Sequence, residues 1–273
     1  MIPTKIIGSV IKRYTTDGHS PYLVLDEDYD KIILKTKNNI NDTISIQKEY
    51  LCSLFLDYWK INKPELYLCN INPELYKILV EDDPRFKLSD YYFGCEFLEN
   101  QFELNSLFSF TGKRPLKNFS CLDSLIHIAL FDIWIENDDR KPTNNNLLCN
   151  INNSKFEIYP IDHAFTFASL SFDILSPKYL SFSDNDSILY SDVGISIVKS
   201  LNINDIWLKQ LKESFYLCTK SIENNIEVIF NTIPSYFAIK EEDKRIIKDY
   251  LFSEVRLEEA FNTLLYIITD IRK

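Results

Sequence analysis

Glycine is scarce in this chain. Five occur in 273 residues, at 8, 18, 94, 112 and 194, so no glycine-rich loop can be drawn anywhere along it. Each one that remains is expected to mark a special backbone position. Paired cysteines are also lacking: the six, at 52, 69, 95, 121, 149 and 218, include no C-x-x-C pair. That spacing excludes the common zinc and redox motifs, and most of the six sit in apolar runs, as buried reduced thiols do. No long hydrophobic run is present. The longest near-apolar stretch, "LIHIALFDIWI" (125–135), holds a His and an Asp and is too short to span a bilayer. The start, "MIPTKIIGSVIKRY", has no long apolar core of the signal-peptide kind, so a cytoplasmic location and no membrane association are expected. A surplus of basic residues is missing too. Thirty Lys and Arg stand against forty Asp and Glu, a net charge of −10, which excludes a general nucleic-acid binder. The densest basic run, "GKRPLK" (112–117), reads as a solvated loop.

What is present is ordinary for a globular protein: 45% hydrophobic and 26% charged residues. The length suits one large domain or two small ones. The first third reads as strands plus one helix. "IIGSVIKRYT" and "PYLVLDE" flank the turn "TDGHS", and "DKIILKTK" is a third strand. "TISIQKEYLCSLFLDYWKI" (43–61) has apolar residues at helical spacing, and "ELYLCNI" and "YYFGCEFLEN" read as further strands. From about residue 105 the pattern becomes helical. "SCLDSLIHIALFDIWIEN" (120–137) is apolar nearly all round, as a core helix is, with Ser120 or Asp123 as its cap. Long helical patterns cover 206–233 and 241–271. The expected architecture is α+β and two-part: a β-rich N-terminal lobe over 1–104 and a larger helical lobe over 105–273.

Between these helical regions lies "WIENDDRKPTNNNLLCNINNSKFEIYPIDHAF" (134–165). It places Asp139, then Asn144 five positions on, then a predicted hairpin with the turn "NNS", then Asp162. Phosphoryl transfer from a nucleoside triphosphate needs a carboxylate to orient the attacking hydroxyl, oxygen ligands for Mg²⁺, and a lysine for the phosphates. Protein kinases set out their acids and asparagine in this order. The hairpin returns the chain, so that Asn144 and Asp162 can face one ion. Asp138 competes with Asp139, but the spacing to Asn144 favours Asp139. The plain alternative is a polar connection in which Asp139 pairs with Arg140. On the strand "KIILK", Ile33 and Lys35 share a face, so an apolar residue would line a nucleotide cleft beside an amine. Lys37 points the same way and is the competitor.

The run "FDIWIENDDRKPTNNNLL" followed by "IYPIDHAF" resembles the catalytic core of the HipA-like kinase family, bacterial relatives of the HipA toxin kinase with a protein-kinase-like bilobal fold. The shared form is N-x-D-R, a Pro, an Asn, N-L-L and later I-D-H, here Asn137, Asp139, Arg140, Pro142, Asn144, Asn146, Leu147, Leu148, Ile161, Asp162 and His163. "TTDGHSPYLVL", "KIILK", "QKEYLCSLFL", "YFGCEFL" and "IPSYF" (233–237) resemble further family segments. The resemblance implies ATP and Mg²⁺ as cofactors, with Asp139 as catalytic base or hydroxyl-orienting residue, Asn144 and Asp162 as metal ligands, and Lys35 as the phosphate lysine. Ile33, Gly18 and Ser20 would lie about the nucleotide. Ser20 is also a candidate for autophosphorylation, although an ordinary turn serine explains it as well. Glu49 is either the ion-pair partner of Lys35 or a solvated glutamate, since it lies off the apolar stripe of its helix. Asn146 either supports the site or merely begins the next strand, and His163 reads as packed or hydrogen-bonded.

The leading function is therefore an ATP-dependent kinase acting on a Ser/Thr hydroxyl of a protein substrate, with an antitoxin-like partner left open. Two alternatives stand beside it. One is a small-molecule kinase resembling the aminoglycoside phosphotransferases, and the other is a pseudokinase that binds nucleotide or protein without turnover. A metal-dependent nuclease ranks last, because its Glu-x-Lys pair is missing. The Ser-rich stretch 168–187 stands where kinases place an activation or substrate segment.

Overall fold

The structure is a computed structural model that describes residues 1–14, 21–35, 42–84, 86–104, 114–176 and 186–273. Strands β1 (Thr4–Arg13), β2 (Tyr22–Asp26) and β3 (Lys31–Lys35) form an antiparallel meander. Asp26 builds the β2–β3 turn by accepting the N–H groups of Asp28 and Asp30 on one oxygen. Helix α1 (Asp42–Trp59), strand β4 (Leu66–Ile71), helix α2 (Pro73–Asp82) and strand β5 (Tyr92–Glu96) follow. The five strands close into a barrel in the order β1-β2-β3-β5-β4, with β1 parallel to β4 and every other pair antiparallel.

The barrel has an apolar core of its own. Ile7, Val24, Ile32, Leu34 and Cys69 fill it, and Leu75 and Leu79 of α2 pack into the same cluster. Helix α2 starts where Asn72 caps the N–H of Leu75 and Pro73 takes the first turn, a position that needs no donor. Gly94 on β5 is set by the same packing, because a Cβ there would lie 2.3 Å from the buried Cys69 sulfur.

Helix α1 belongs to a second core. Its residues Gln47 to Leu51 are all buried, Trp59 stacks on Trp134, and Phe55 meets the same ring at a tilt. A helix enclosed on several sides has no single apolar stripe, so charged residues off the stripe can be inside. The second core is centred on α3 (Ser124–Ile135), where every residue from Leu125 to Ile135 except His127 is buried. Asp123 stands at its cap position but makes no capping bond with its side chain. The helix ends at Glu136 in a left-handed conformation (φ 47°), and the carbonyl of Trp134 accepts two hydrogen bonds from Arg256, at 2.9 and 2.6 Å.

A three-stranded sheet follows, in the order β6-β7-β8: β6 (Phe102–Glu103), β7 (Leu147–Asn152) and β8 (Lys155–Pro160). The β7–β8 hairpin closes through Asn153 and Ser154, both at positive φ, as a primed two-residue turn requires. Helices α4 (Asp192–Ser200), α5 (Asp205–Thr232), α6 (Glu241–Leu251) and α7 (Glu254–Arg272) complete the chain. The pattern over 241–271 is thus two helices, broken at Ser253, which caps α7. No helix among the described residues is long and apolar enough to cross a membrane. The six cysteines are unpaired. Cys52, Cys69 and Cys149 are buried, whereas Cys121 is exposed.

Gly194, in the first turn of α4, packs so closely on the preceding turn that a Cβ would meet Leu189 backbone atoms at 2.5 Å. Alanine in place of glycine ordinarily stabilises a helix by up to about 1 kcal/mol. Here the clash reverses that sign: Gly194→Ala is expected to destabilise by about 2 kcal/mol, in the range of overpacked interiors, as read by denaturant melts.

Candidate active site

Lys35 ends β3, opposite Phe93 of β5. Its ammonium pairs with Glu49 of α1 and with Asp162 Oδ1 at 3.0 Å. Glu49 is therefore not a solvated glutamate. It is buried, and its second carboxylate oxygen accepts the backbone N–H of His163 at 3.1 Å. Burial pushes Glu49 up to about 7 against the pull of Lys35. Burial acts in the same sense on Asp162, but there the Lys35 charge and hydrogen bond prevail and hold the carboxyl well below the usual range. Burial would lower Lys35, yet the charges of Asp162 and Glu49 outweigh it and keep the amine protonated. Lys37, its competitor, lies outside the described residues, as do Gly18 and Ser20.

Asp139 follows α3 in the polar loop. Its two carboxylate oxygens accept from two different amides, Asn144 Nδ2 and Asn146 Nδ2, each at 2.8 Å. Asn146 does more than begin a strand. It lines the same cavity as Asp162, and its carbonyl receives the N–H of Ile161. Asn144 is exposed and is tied to this group through Asp139. Asp138 accepts from the Ser169 hydroxyl at 3.4 Å, and burial with Glu136 nearby pushes it up to about 6.

Arg140 does not pair with Asp139. It turns inward, fully buried, and lies 2.8 Å from Asp132 of α3, a charge contact rather than an aligned hydrogen bond. Its remaining donors reach the carbonyls of Asn145 (3.2 Å), Asn146 and Ile161 (3.1 Å), and His163 Nε2 at 3.2 Å. One guanidinium thus holds both ends of the β7–β8 hairpin. Burial and the Arg140 charge keep His163 neutral, which leaves Nε2 as the acceptor. Asp162 itself sits at φ 60° just beyond the clamp. In the sequence, Arg140 has only a place in the shared motif and an alternative pairing with Asp139, and Asp132 has no role. The available signal was Asp132, the one acid within an otherwise apolar helix.

Lys35, Glu49, Asn146, Asp162 and His163 border a cavity of about 410 Å³. Its lining is in part apolar, with Ile33, Leu66, Phe93, Leu98 and Leu148, and in part polar, with Lys35, Glu49, Asn146 and Asp162. An apolar slot with a few convergent polar groups suits a flat heterocycle carrying a charged tail. Among the described residues, no three His, Cys, Asp or Glu gather closely enough to hold a metal ion alone.

Comparison with known proteins bears on this arrangement. A family model described as HipA-like kinase matches residues 7–260. Among solved structures, a proinflammatory kinase of Helicobacter pylori, CtkA, superposes with a TM-score of 0.51 over 98% of this chain and 99% of its own, at 15% identity. The Rio2 kinase of Chaetomium thermophilum, in a complex with ADP, Mg²⁺ and phosphoaspartate, covers 97% of this chain and 70% of its own, with a TM-score of 0.39 and 11% identity. No curated protein sequence matches significantly. The family match runs from the first strand of the barrel into α7 and takes in Lys35, Glu49, Asp139 and Asp162 alike, so the chain belongs to the HipA-like kinase family.

Proposed function

We propose that this kinase transfers the γ-phosphate of Mg-ATP to a serine or threonine hydroxyl of a protein, across a cleft between a β-rich lobe and a helical lobe. One observation carries the reading: Lys35 from the barrel and Asp162 from beyond the hairpin meet at 3.0 Å within one cavity, while Asp139 is hydrogen-bonded to Asn146, which lines it. In that reading Lys35 pairs with the phosphates and Glu49 aims it. Asp139, held by two amides, orients the acceptor hydroxyl and takes its proton. The apolar part of the cavity lining, Ile33 included, takes the base of the nucleotide.

The donor set fits Mg²⁺. Both Asn144 and Asn146 direct their Nδ2 groups at Asp139, which leaves their amide oxygens as acceptors, and Asp162 stays ionised. A hard cation held by a carboxylate, an amide oxygen and nucleotide phosphates needs no all-protein cage. When bound, Mg²⁺ would neutralise charge developing on the phosphates. Asp162 with Asn144 or Asn146 would hold it. The buried Glu49–Lys35 pair removes one argument for a pseudokinase.

Four outcomes are expected. Asp162→Asn abolishes transfer of label from γ-labelled ATP, and unchanged labelling would end the assignment. Asp139→Asn lowers kcat by about 10²–10⁴, the usual share of a positioned base, while Mg-ATP binding followed by calorimetry stays near wild type. Label appears in protein bands of a lysate; label confined to small molecules would instead favour the aminoglycoside-type alternative. The fourth outcome concerns pH. A carboxyl raised to about 7 is ionised above that pH and neutral below it. Transfer by the wild type should therefore decline as pH falls through about 7, and the Glu49→Gln variant should lack that limb of the pH profile.

A further inference from the structure

The motif "IPSYF", residues 233–237, plays no part in the chemistry above, yet it is built into the underside of the site. Phe237 is fully buried and packs on Tyr50 of α1, ring to ring at 5.8 Å. Tyr50 in turn meets Phe93 of β5 edge-on at 4.9 Å and donates its hydroxyl to the carbonyl of Tyr67 at 2.9 Å. One residue beyond the motif, the carbonyl of Ala238 accepts a hydrogen bond from Gln47 Nε2 at 2.9 Å. Tyr236 reaches the barrel side, sharing a hydrogen bond with the Ser89 hydroxyl at 3.0 Å and meeting Tyr91 edge-on at 5.4 Å.

Gln47 and Tyr50 flank Glu49 on the same helix. Successive residues of an α-helix are turned by about 100°, so Gln47 and Glu49 point nearly opposite ways, about 200° apart. A restraint on Gln47 therefore fixes the rotation that aims Glu49 at Lys35. Lys48, between them, donates to the carbonyl of Thr166 at 2.7 Å and fixes a third direction. Apolar packing of Phe55 and Trp59 on Trp134 holds the far end of α1, and these polar contacts set the rotation of the segment that carries Glu49.

We infer that residues 233–239 form a built-in brace for α1, and that Gln47 is a positioning residue which keeps Glu49 against Lys35 with no outside activator. Only the catalytic arm of this inference rests on the proposed kinase function; the mechanical arm does not. The test uses Gln47→Met, which keeps the volume and removes the donor. Phe237→Leu serves as a second variant that loses the ring contact. Hydrogen exchange in each would be compared over residues 42–59 and, as an internal control, over 124–135. Loss of one hydrogen bond carries about a five- to tenfold change in a local opening equilibrium. Exchange in 42–59 should therefore accelerate by that factor, with 124–135 unchanged. Phosphotransfer should show kcat reduced by a similar factor, and Gln47→Met should add nothing in a Glu49→Gln background. Wild-type exchange over 42–59 in both variants, or an equal further loss of kcat in the Glu49→Gln background, would overturn the brace. A wild-type protein that transfers no phosphate would count against the kinase reading alone, and the exchange result would then decide the brace.

Discussion

Arg140 carries a permanent charge into a region closed to solvent, where each of its donors needs a partner. The partners come from three stretches of chain: Asp132 on α3, the carbonyls of Asn145 and Asn146 before the hairpin, and Ile161 with His163 after it. The constraint is severe, since leaving a buried charge with part of its partners missing costs about 3–5 kcal/mol. It also has a consequence for chemistry. Asp139 precedes Arg140 and Asp162 follows Ile161, so a clamp that satisfies the guanidinium sets Asp162 on the cavity and Asp139 against Asn146, which lines it.

Lys35 ties the barrel to the residue just beyond this clamp. Lys35 lies on a strand of the barrel, whose core is separate, whereas Glu49 and Asp162 lie with the core centred on α3. Burial disfavours every one of these charges. Together they are stable, because each supplies the counter-charge that the others lack. The cavity beside this cluster takes part of its apolar wall from Leu66 and Phe93, barrel-strand residues that pack into the core centred on α3.

How much of this was legible can be judged from particular residues. The hairpin was, because alternating apolar residues on either side of Asn153–Ser154 specify a tight primed turn. The buried helix before it was also legible, as an all-round apolar run. Helix α2 was passed over, although "NPELYKIL" carries an Asn cap and a Pro in the first turn; its amphipathic face is short and its contacts lie inside the barrel. Glu49 was left undecided, because a periodicity argument assumes a helix with one buried face, and α1 has several. Arg140 was read beside Asp139, its neighbour in sequence, when its partner is a helix residue eight positions earlier.

The order of the acids, the five-residue spacing from Asp139 to Asn144, the turn that follows and the family likeness are local properties, set by neighbouring residues and the backbone geometry they favour. They are readable in one dimension. Which buried charge meets which was decided only by the tertiary structure. Lys35 and Asp162 are 127 positions apart, and Glu49 and His163 are 114 apart. No local preference acts over such separations; the pairs exist because the fold encloses Lys35 and Glu49, brings Asp162 to them, and each charge then supplies the counter-charge that burial makes the others need.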